Sequence, residues 1–166
     1  MSKAALLSIK PVYANQILTG TKTIELRKSS MGLSQGDVAL VYSSAPEQRI
    51  AFWFRVKTIE PLSVEEMWRR HRDQLSIEYE DYAAYFAGAK MAIGLHVGEI
   101  HSLVPIPIQE LEELIPGFVP PQGIVWLRDE LGRYKELLSR LSFPLPADLF
   151  LQQTFSFGLS TATDRK

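Results

Sequence analysis

The sequence predicts an α+β domain, a small mixed sheet of five to six strands closing into a barrel with flanking helices across its openings. Three observations lead there. Apolar runs of strand length recur in mostly local succession, segments of helical spacing interrupt them, and no sustained strand–helix–strand alternation marks a parallel crossover sheet. At 166 residues the chain fits one domain, expected over residues 1–157, with a disordered tail at 158–166.

Residues 4–9 form a short buried strand that Pro11 ends, and Pro11 itself suits the first position of a helix over 11–19. Tyr13, Ala14, Ile17 and Leu18 make that helix's apolar stripe, and Gly20 falls where a left-handed C-terminal cap is expected. The alternation in Thr23-Ile24-Glu25-Leu26-Arg27 sends Ile24 and Leu26 to the core and puts Thr23, Glu25 and Arg27 on the other face. After a loop from Gly32 to Asp37, residues 38–42 and 50–57 are two strands joined by a polar turn around Pro46.

Ser63-Val64-Glu65-Glu66 has the spacing of a capping box, so a helix starts at Val64 and runs to about Arg72. Tyr79, Tyr82, Ala83 and Phe86 recur at helical spacing before Gly88. Residues 90–99 and 102–108 are two more strands, and Pro105 and Pro107 confine the second to the border of the sheet. Leu111, Leu114 and Ile115 fit a short helix, residues 116–123 a Pro/Gly-rich loop, and Leu131, Tyr134, Leu138 and Leu141 a helical stripe ending before Pro144.

Composition narrows the function classes. With 46% hydrophobic and 22% charged residues the chain should fold, and with no cysteine it has neither disulfides nor thiolate metal sites. The N-terminal apolar run is broken by Lys10 and Pro11, unlike a signal peptide, and no stretch reaches the about 18 apolar residues of a spanning helix. The expectation is a cytoplasmic protein without a membrane partner. A net charge of −1 argues against a sequence-blind nucleic-acid coat, yet residues 1–30 carry Lys3, Lys10, Lys22, Arg27 and Lys28 against the single acid Glu25. An anion-facing surface belongs to that third of the chain.

Lys22, Glu25 and Arg27 converge at one mouth of the sheet. By pattern alone they are an exposed strand face with a cross-strand ion pair. Leu7-Ser8-Ile9-Lys10-Pro11, a helix, and Gly20-x-Lys22-x-x-Glu25-x-Arg27 resemble the opening of ASCH (ASC-1 homology) domains. Val41 to Pro46, Phe52-Trp53-Phe54, Gly88 to Ile93 and Pro120-Pro121-Gln122 resemble later segments of small prokaryotic members, so the likeness covers roughly residues 5–127. It implies a PUA-like fold and a cleft between barrel and first helices that takes RNA, single-stranded DNA or a modified nucleoside. On that reading Lys10, Lys22, Glu25, Arg27, Ser43, Ser44, Trp53, Lys90 and Gln122 are the binding candidates, and no cofactor is implied.

The family also contains amidases that deacetylate N4-acetylcytidine with a threonine nucleophile three residues after the lysine and a glutamate further on. Here Glu25 stands in place of that threonine and Leu75 opposite the glutamate, with Asp73 nearby. The hydrolytic alternative, a ribonuclease or an amidase of a different kind at the same cleft, would draw on Lys22, Glu25 and Tyr42, with Arg27 for developing charge.

Two features have competing structural explanations. Trp53 is the candidate stacking platform of its aromatic strand, against a role in core packing. His96, Glu99 and His101 have metal-ligating chemistry, but in a strand His96 and Glu99 point to opposite faces, so no metal site is expected.

Overall fold

The computed structural model describes residues 3–128 and 132–140. The predicted tail at 158–166 and the end of the last helical stripe lie outside these residues. In chain order the elements are β1 (Ala4–Ile9), α1 (Pro11–Leu18), β2 (Ile24–Arg27), β3 (Val38–Ser43), β4 (Arg49–Ser63), α2 (Val64–Leu75), α3 (Tyr79–Tyr85), β5 (Met91–Pro107), α4 (Ile108–Leu114), β6 (Ile124–Trp126) and α5 (Lys135–Arg140).

The strands form one mixed sheet in the order β2-β5-β4-β3-β1-β6, in which β1 and β3 are parallel and the other described pairs antiparallel. β1 is buried on both faces. Ala4 and Leu6 join Leu40, Trp53, Leu111 and Leu137 in one core, while Ala5, Leu7 and Ile9 join Ile17 of α1, Phe52 and Phe54 in another. A third core, with Ile24, Leu26, Met67, Leu75 and Tyr82, lies beneath α2 and α3.

The local signals act as their chemistry requires. Ser63 Oγ accepts from the Glu66 backbone N–H at 3.1 Å and caps α2, but the Glu66 carboxylate turns to Arg69 and Arg70 instead of completing a reciprocal box. Gly20 follows α1 at φ +84°, a conformation that costs glycine little.

The main departure from the sequence reading is length. The strand expected to stop at 57 runs on as β4 to Ser63, and the two strands expected at 90–99 and 102–108 are one, β5. Three register shifts interrupt the β4–β5 ladder, at Ile50/Phe52, Phe54/Val56 and Val56/Thr58. Each irregularity bends the ribbon and breaks the period-two pattern by which strands are recognised. Pro61 is tolerated because β3 pairs with β4 only as far as Arg55. Pro105 and Pro107 lie where β5 has β4 on one side only, since β2 reaches just Ile93 to His96. Ile108 N–H bonds to the Gln48 carbonyl on the β4 side, so alternation turns the nitrogens of both prolines to the open edge.

Among the described residues β2 and β6 do not pair, so the expected ring is not closed by hydrogen bonds. Curvature nevertheless brings β2 to β1, and Arg27 Nη2 donates to the Ser8 carbonyl at 3.0 Å across the seam. No described helix is long and apolar enough to cross a membrane.

Gly98 gives a direct test of the bend, because an added Cβ would stand 2.7 Å from the Arg55 carbonyl oxygen, a backbone atom with little room to yield. Gly98→Ala should lower the unfolding free energy by about 1–3 kcal/mol, seen as a lower urea midpoint at unchanged slope.

Candidate functional site

The seam between β1 and β2 opens into a cleft of about 1030 Å³. The end of β1 supplies Ser8 and Ile9, the start of α1 supplies Lys10, Val12 and Tyr13, and Lys22, Glu25 and Arg27 form the floor. Tyr42, Ser44 and Gln48 border it from β3 and the following turn, Asp81 and Tyr85 from α3, and Pro120, Pro121 and Gln122 from the loop before β6.

The floor is a buried charge array and not an exposed strand face. Alternation does separate Ile24 and Leu26 from Glu25 and Arg27, but the polar face is covered too: Lys22 is 2% exposed, Glu25 7% and Arg27 8%. Lys22 Nζ donates to the Leu75 carbonyl at 2.7 Å and stands 3.9 Å from Glu25 Oε2. Arg27 Nη2 contacts Glu25 Oε1 at 3.2 Å. Two cations thus share one carboxylate, leaving surplus positive charge at low dielectric.

Burial pushes the Lys22 ammonium below its ordinary pKa, with Glu25 opposing and Arg27 reinforcing that shift. Tyr13 and Tyr85, half-buried and exposed beside the cleft, are both raised, chiefly by desolvation. Lys22 lies 5.2 Å from the centre of the Tyr13 ring. Three buried polar atoms of the lining residues have no hydrogen-bond partner: Ser8 Oγ, Arg27 Nε and the Tyr42 hydroxyl. Buried polar groups are normally satisfied, so these three stand out among the residues of the cleft. α1 adds its N-terminus, where no side chain caps the backbone donors.

Of the residues singled out from the sequence, Lys10, Lys22, Glu25, Arg27, Tyr42, Ser44 and Gln122 meet at this cleft. Ser43 does not line it; its hydroxyl donates to Glu47 Oε2 at 2.8 Å. Lys90 is exposed and apart from the cleft, in the turn where its carbonyl accepts from Val64 N–H. Trp53 is no stacking platform in this fold: it is 1% exposed and packs on His101 with ring centres 4.0 Å apart. Both faces of the β4 ribbon are covered here, so alternation moves its rings between two cores and not between core and solvent.

Sequence reasoning left out Ser8, Tyr13, Asp81 and Tyr85. The two tyrosines had a signal, a polar-tipped ring at the edge of a helix's apolar stripe, but only the tertiary seam gives it meaning. The structure also places Leu75 and Asp73, which the resemblance set beside the amidase glutamate. Leu75 reaches Lys22 through its backbone carbonyl, while the Asp73 side chain is exposed. Lys22 therefore finds its partners in a backbone carbonyl and in Glu25.

Comparison with known proteins gives a consistent result. The ASCH domain family profile matches residues 7–110. An "ASCH domain-containing ribonuclease" of Zymomonas mobilis is 27% identical over 128 residues, covering 77% of this chain and 86% of that protein. The crystal structure of an ASCH protein from Zymomonas mobilis superposes with a TM-score of 0.76 at 26% identity, covering 82% of this chain and 94% of the other. The N-terminal domain of Staphylothermus marinus McrB shares the fold at 13% identity, with a TM-score of 0.51 and coverage of 84% and 95%.

The buried lysine makes a pH prediction. Its folded pKa lies below the unfolded value, so at neutral pH the charged form is a cost to folding that is relieved as pH rises toward 10.5. Stability of the wild type relative to Lys22→Met should therefore increase between that lowered pKa and pH 10.5. Parallel urea titrations of both proteins across the alkaline range would show it, and a constant difference would contradict the assignment.

Proposed function

The chain belongs to the ASCH domain family, and from that premise we propose that the β1–β2 cleft binds RNA, holding a phosphate over Lys22 and Arg27 and a base against the tyrosine-lined wall. The observation that carries this reading is the buried array of two cations on one carboxylate, beneath lining atoms that lack partners. An anionic, polar ligand answers both features at once. Arg27 presents a planar donor set suited to phosphate oxygens, and Glu25 can accept from a base edge. Tyr13 and Tyr85 offer rings of the kind that stack unpaired bases, which favours single strands over duplex. Single-stranded DNA and a modified nucleoside share much of this chemistry and are the alternatives the experiment separates.

Ribonuclease activity is the second reading, favoured by the lowered pKa of Lys22 and by the name of the Zymomonas relative. In such a reaction the RNA 2′-oxygen attacks the adjacent phosphorus while the P–O5′ bond breaks. The 2′-hydroxyl proton goes to a base, and a proton goes to the leaving 5′-oxygen. A desolvated lysine supplies proton transfer nearer neutrality than a solvated one, Arg27 offsets charge on the non-bridging oxygens, and the Tyr42 hydroxyl is a further donor.

Fluorescence anisotropy with short labelled RNA tests binding. Lys22→Ala should weaken affinity at least tenfold and reduce the salt slope by about one, whereas Lys90→Ala leaves both unchanged. Equal affinity of wild type and Lys22→Ala would remove the proposal, and a preference for DNA or a free nucleoside would redirect it.

Turnover is measured separately. Labelled RNA should be cut to a 2′,3′-cyclic phosphate, a single 2′-deoxy substitution should block cleavage at that site, and Lys22→Met should lower the rate by about 10²–10⁴-fold. No product at high protein concentration leaves the cleft a binding site only.

A further inference from the structure

On the other face of β2 a second polar cluster is built from residues far apart in the sequence. β5 pairs Gly94 with Glu60 of β4 and His96 with Thr58, and Ile24 of β2 also pairs with His96. The side chains of Glu60 and His96 therefore rise on the α2 side of the sheet, whereas Glu25 and Arg27 face the cleft. His71 of α2 completes the group. Its Nε2 lies 2.8 Å from Glu60 Oε2, and His96 Nε2 lies 2.9 Å from the same oxygen.

The contact with His71 lacks hydrogen-bond geometry, and its Nε2 is buried without a hydrogen-bond partner. The other ring nitrogen, Nδ1, is 2.9 Å from Gln74 Oε1. That oxygen can only accept, so Nδ1 carries a proton, and Nε2 faces the carboxylate either as the second N–H of an imidazolium or as a lone pair with a cation between. In both cases something positive belongs between the two heavy atoms. A metal-bound imidazole usually donates its second N–H to a carboxylate, a backbone carbonyl or water, and here the Gln74 carboxamide oxygen takes that place.

We propose that Glu60, His71 and His96 form a three-ligand site for a divalent transition-metal ion of the zinc class. Two imidazole nitrogens and one carboxylate oxygen are the donor set such an ion prefers, and the three donor atoms already lie within 4.8 Å of one another. Metal–donor bonds of about 2.0–2.2 Å in tetrahedral array place donors roughly 3.3 Å apart, so each histidine would draw back from Glu60 Oε2 by roughly half an ångström to admit the ion. Arg70 Nη1 stands 4.0 Å from Glu60 Oε1, which leaves Oε2 as the binding oxygen. With three protein ligands the fourth position goes to water, and the ion exchanges with solvent.

The site's consequence lies in α2. His71 is one turn before Leu75, whose carbonyl receives Lys22 Nζ. An ion that ties His71 to β4 and β5 fixes the helix end that positions the cleft lysine, making the metal a brace on the array from the opposite side of the sheet. Sequence spacing around His96, Glu99 and His101 pointed to no site because the partners of His96 come from positions 60 and 71.

Isothermal titration with zinc and visible absorption with cobalt test the proposal without RNA. The full chain, stripped with chelator, should bind one equivalent, and cobalt should give the strong absorption of a four-coordinate centre. Glu60→Gln, His71→Ala and His96→Ala should each abolish both signals, Gln74→Ala should weaken binding about 10–100-fold, and Lys90→Ala and His101→Ala should leave it unchanged. Glu60→Gln keeps the side chain's shape, and circular dichroism checks that each variant is folded. No binding by the wild type means that the cluster holds only a proton, and binding that survives Glu60→Gln and His96→Ala places the metal elsewhere. Either result overturns the proposal while leaving RNA binding at the cleft to stand or fall separately.

Discussion

The salt-bridged array on β2 is the constraint around which this molecule is arranged. A lysine just before the strand and a glutamate and an arginine on it are all buried, and no other described strand carries such a group. Burial of ions is costly unless each is bonded, and the bonds come from three directions. Leu75 at the end of α2 accepts from Lys22, Ser8 of β1 accepts from Arg27 Nη2, and Glu25 lies between them. The array consequently fixes where α2 must end and where β1 must pass. It also replaces, with side chains, the ladder that would otherwise have closed the sheet.

That substitution explains why the cleft exists. A backbone ladder between β1 and β2 would fill the seam, whereas an arginine reaching across it leaves space on one side. The long β4–β5 ribbon supplies the curvature, and its three register shifts are where the bending occurs. Fold and site are one arrangement: the irregular ribbon brings two strands together that do not pair, and the unpaired seam opens as the cleft.

Much of this was legible in the amino-acid order. β1, α1, β2 and β3 follow from local signals, Pro11 and Gly20 bound the first helix, and the motif from Gly20 to Arg27 identifies both family and cleft. The misread parts share a physical cause. β4 and β5 exceed their predicted lengths because bulges break alternation, and β6 is three residues whose strand character comes from pairing with β1. Trp53 alternates as expected, but both faces of its ribbon are interior. The partner of Lys22 is a backbone carbonyl, which no residue type announces. The grouping of Glu60, His71 and His96 likewise depends on register and helix placement that spacing does not encode.

The two prolines near the end of β5 have a consequence for company. A strand held on one side invites a visitor to the other, and this stretch also displays Val104 at 87% exposure. Because Pro105 and Pro107 both face outward, a visitor finds carbonyls there but not the matching N–H groups. The protein can keep a 17-residue strand with one margin bare beyond the stretch paired with β2 and still remain a poor template for stacking. Whatever this domain joins, it joins through side chains and shape, not by lending its sheet another strand along this margin.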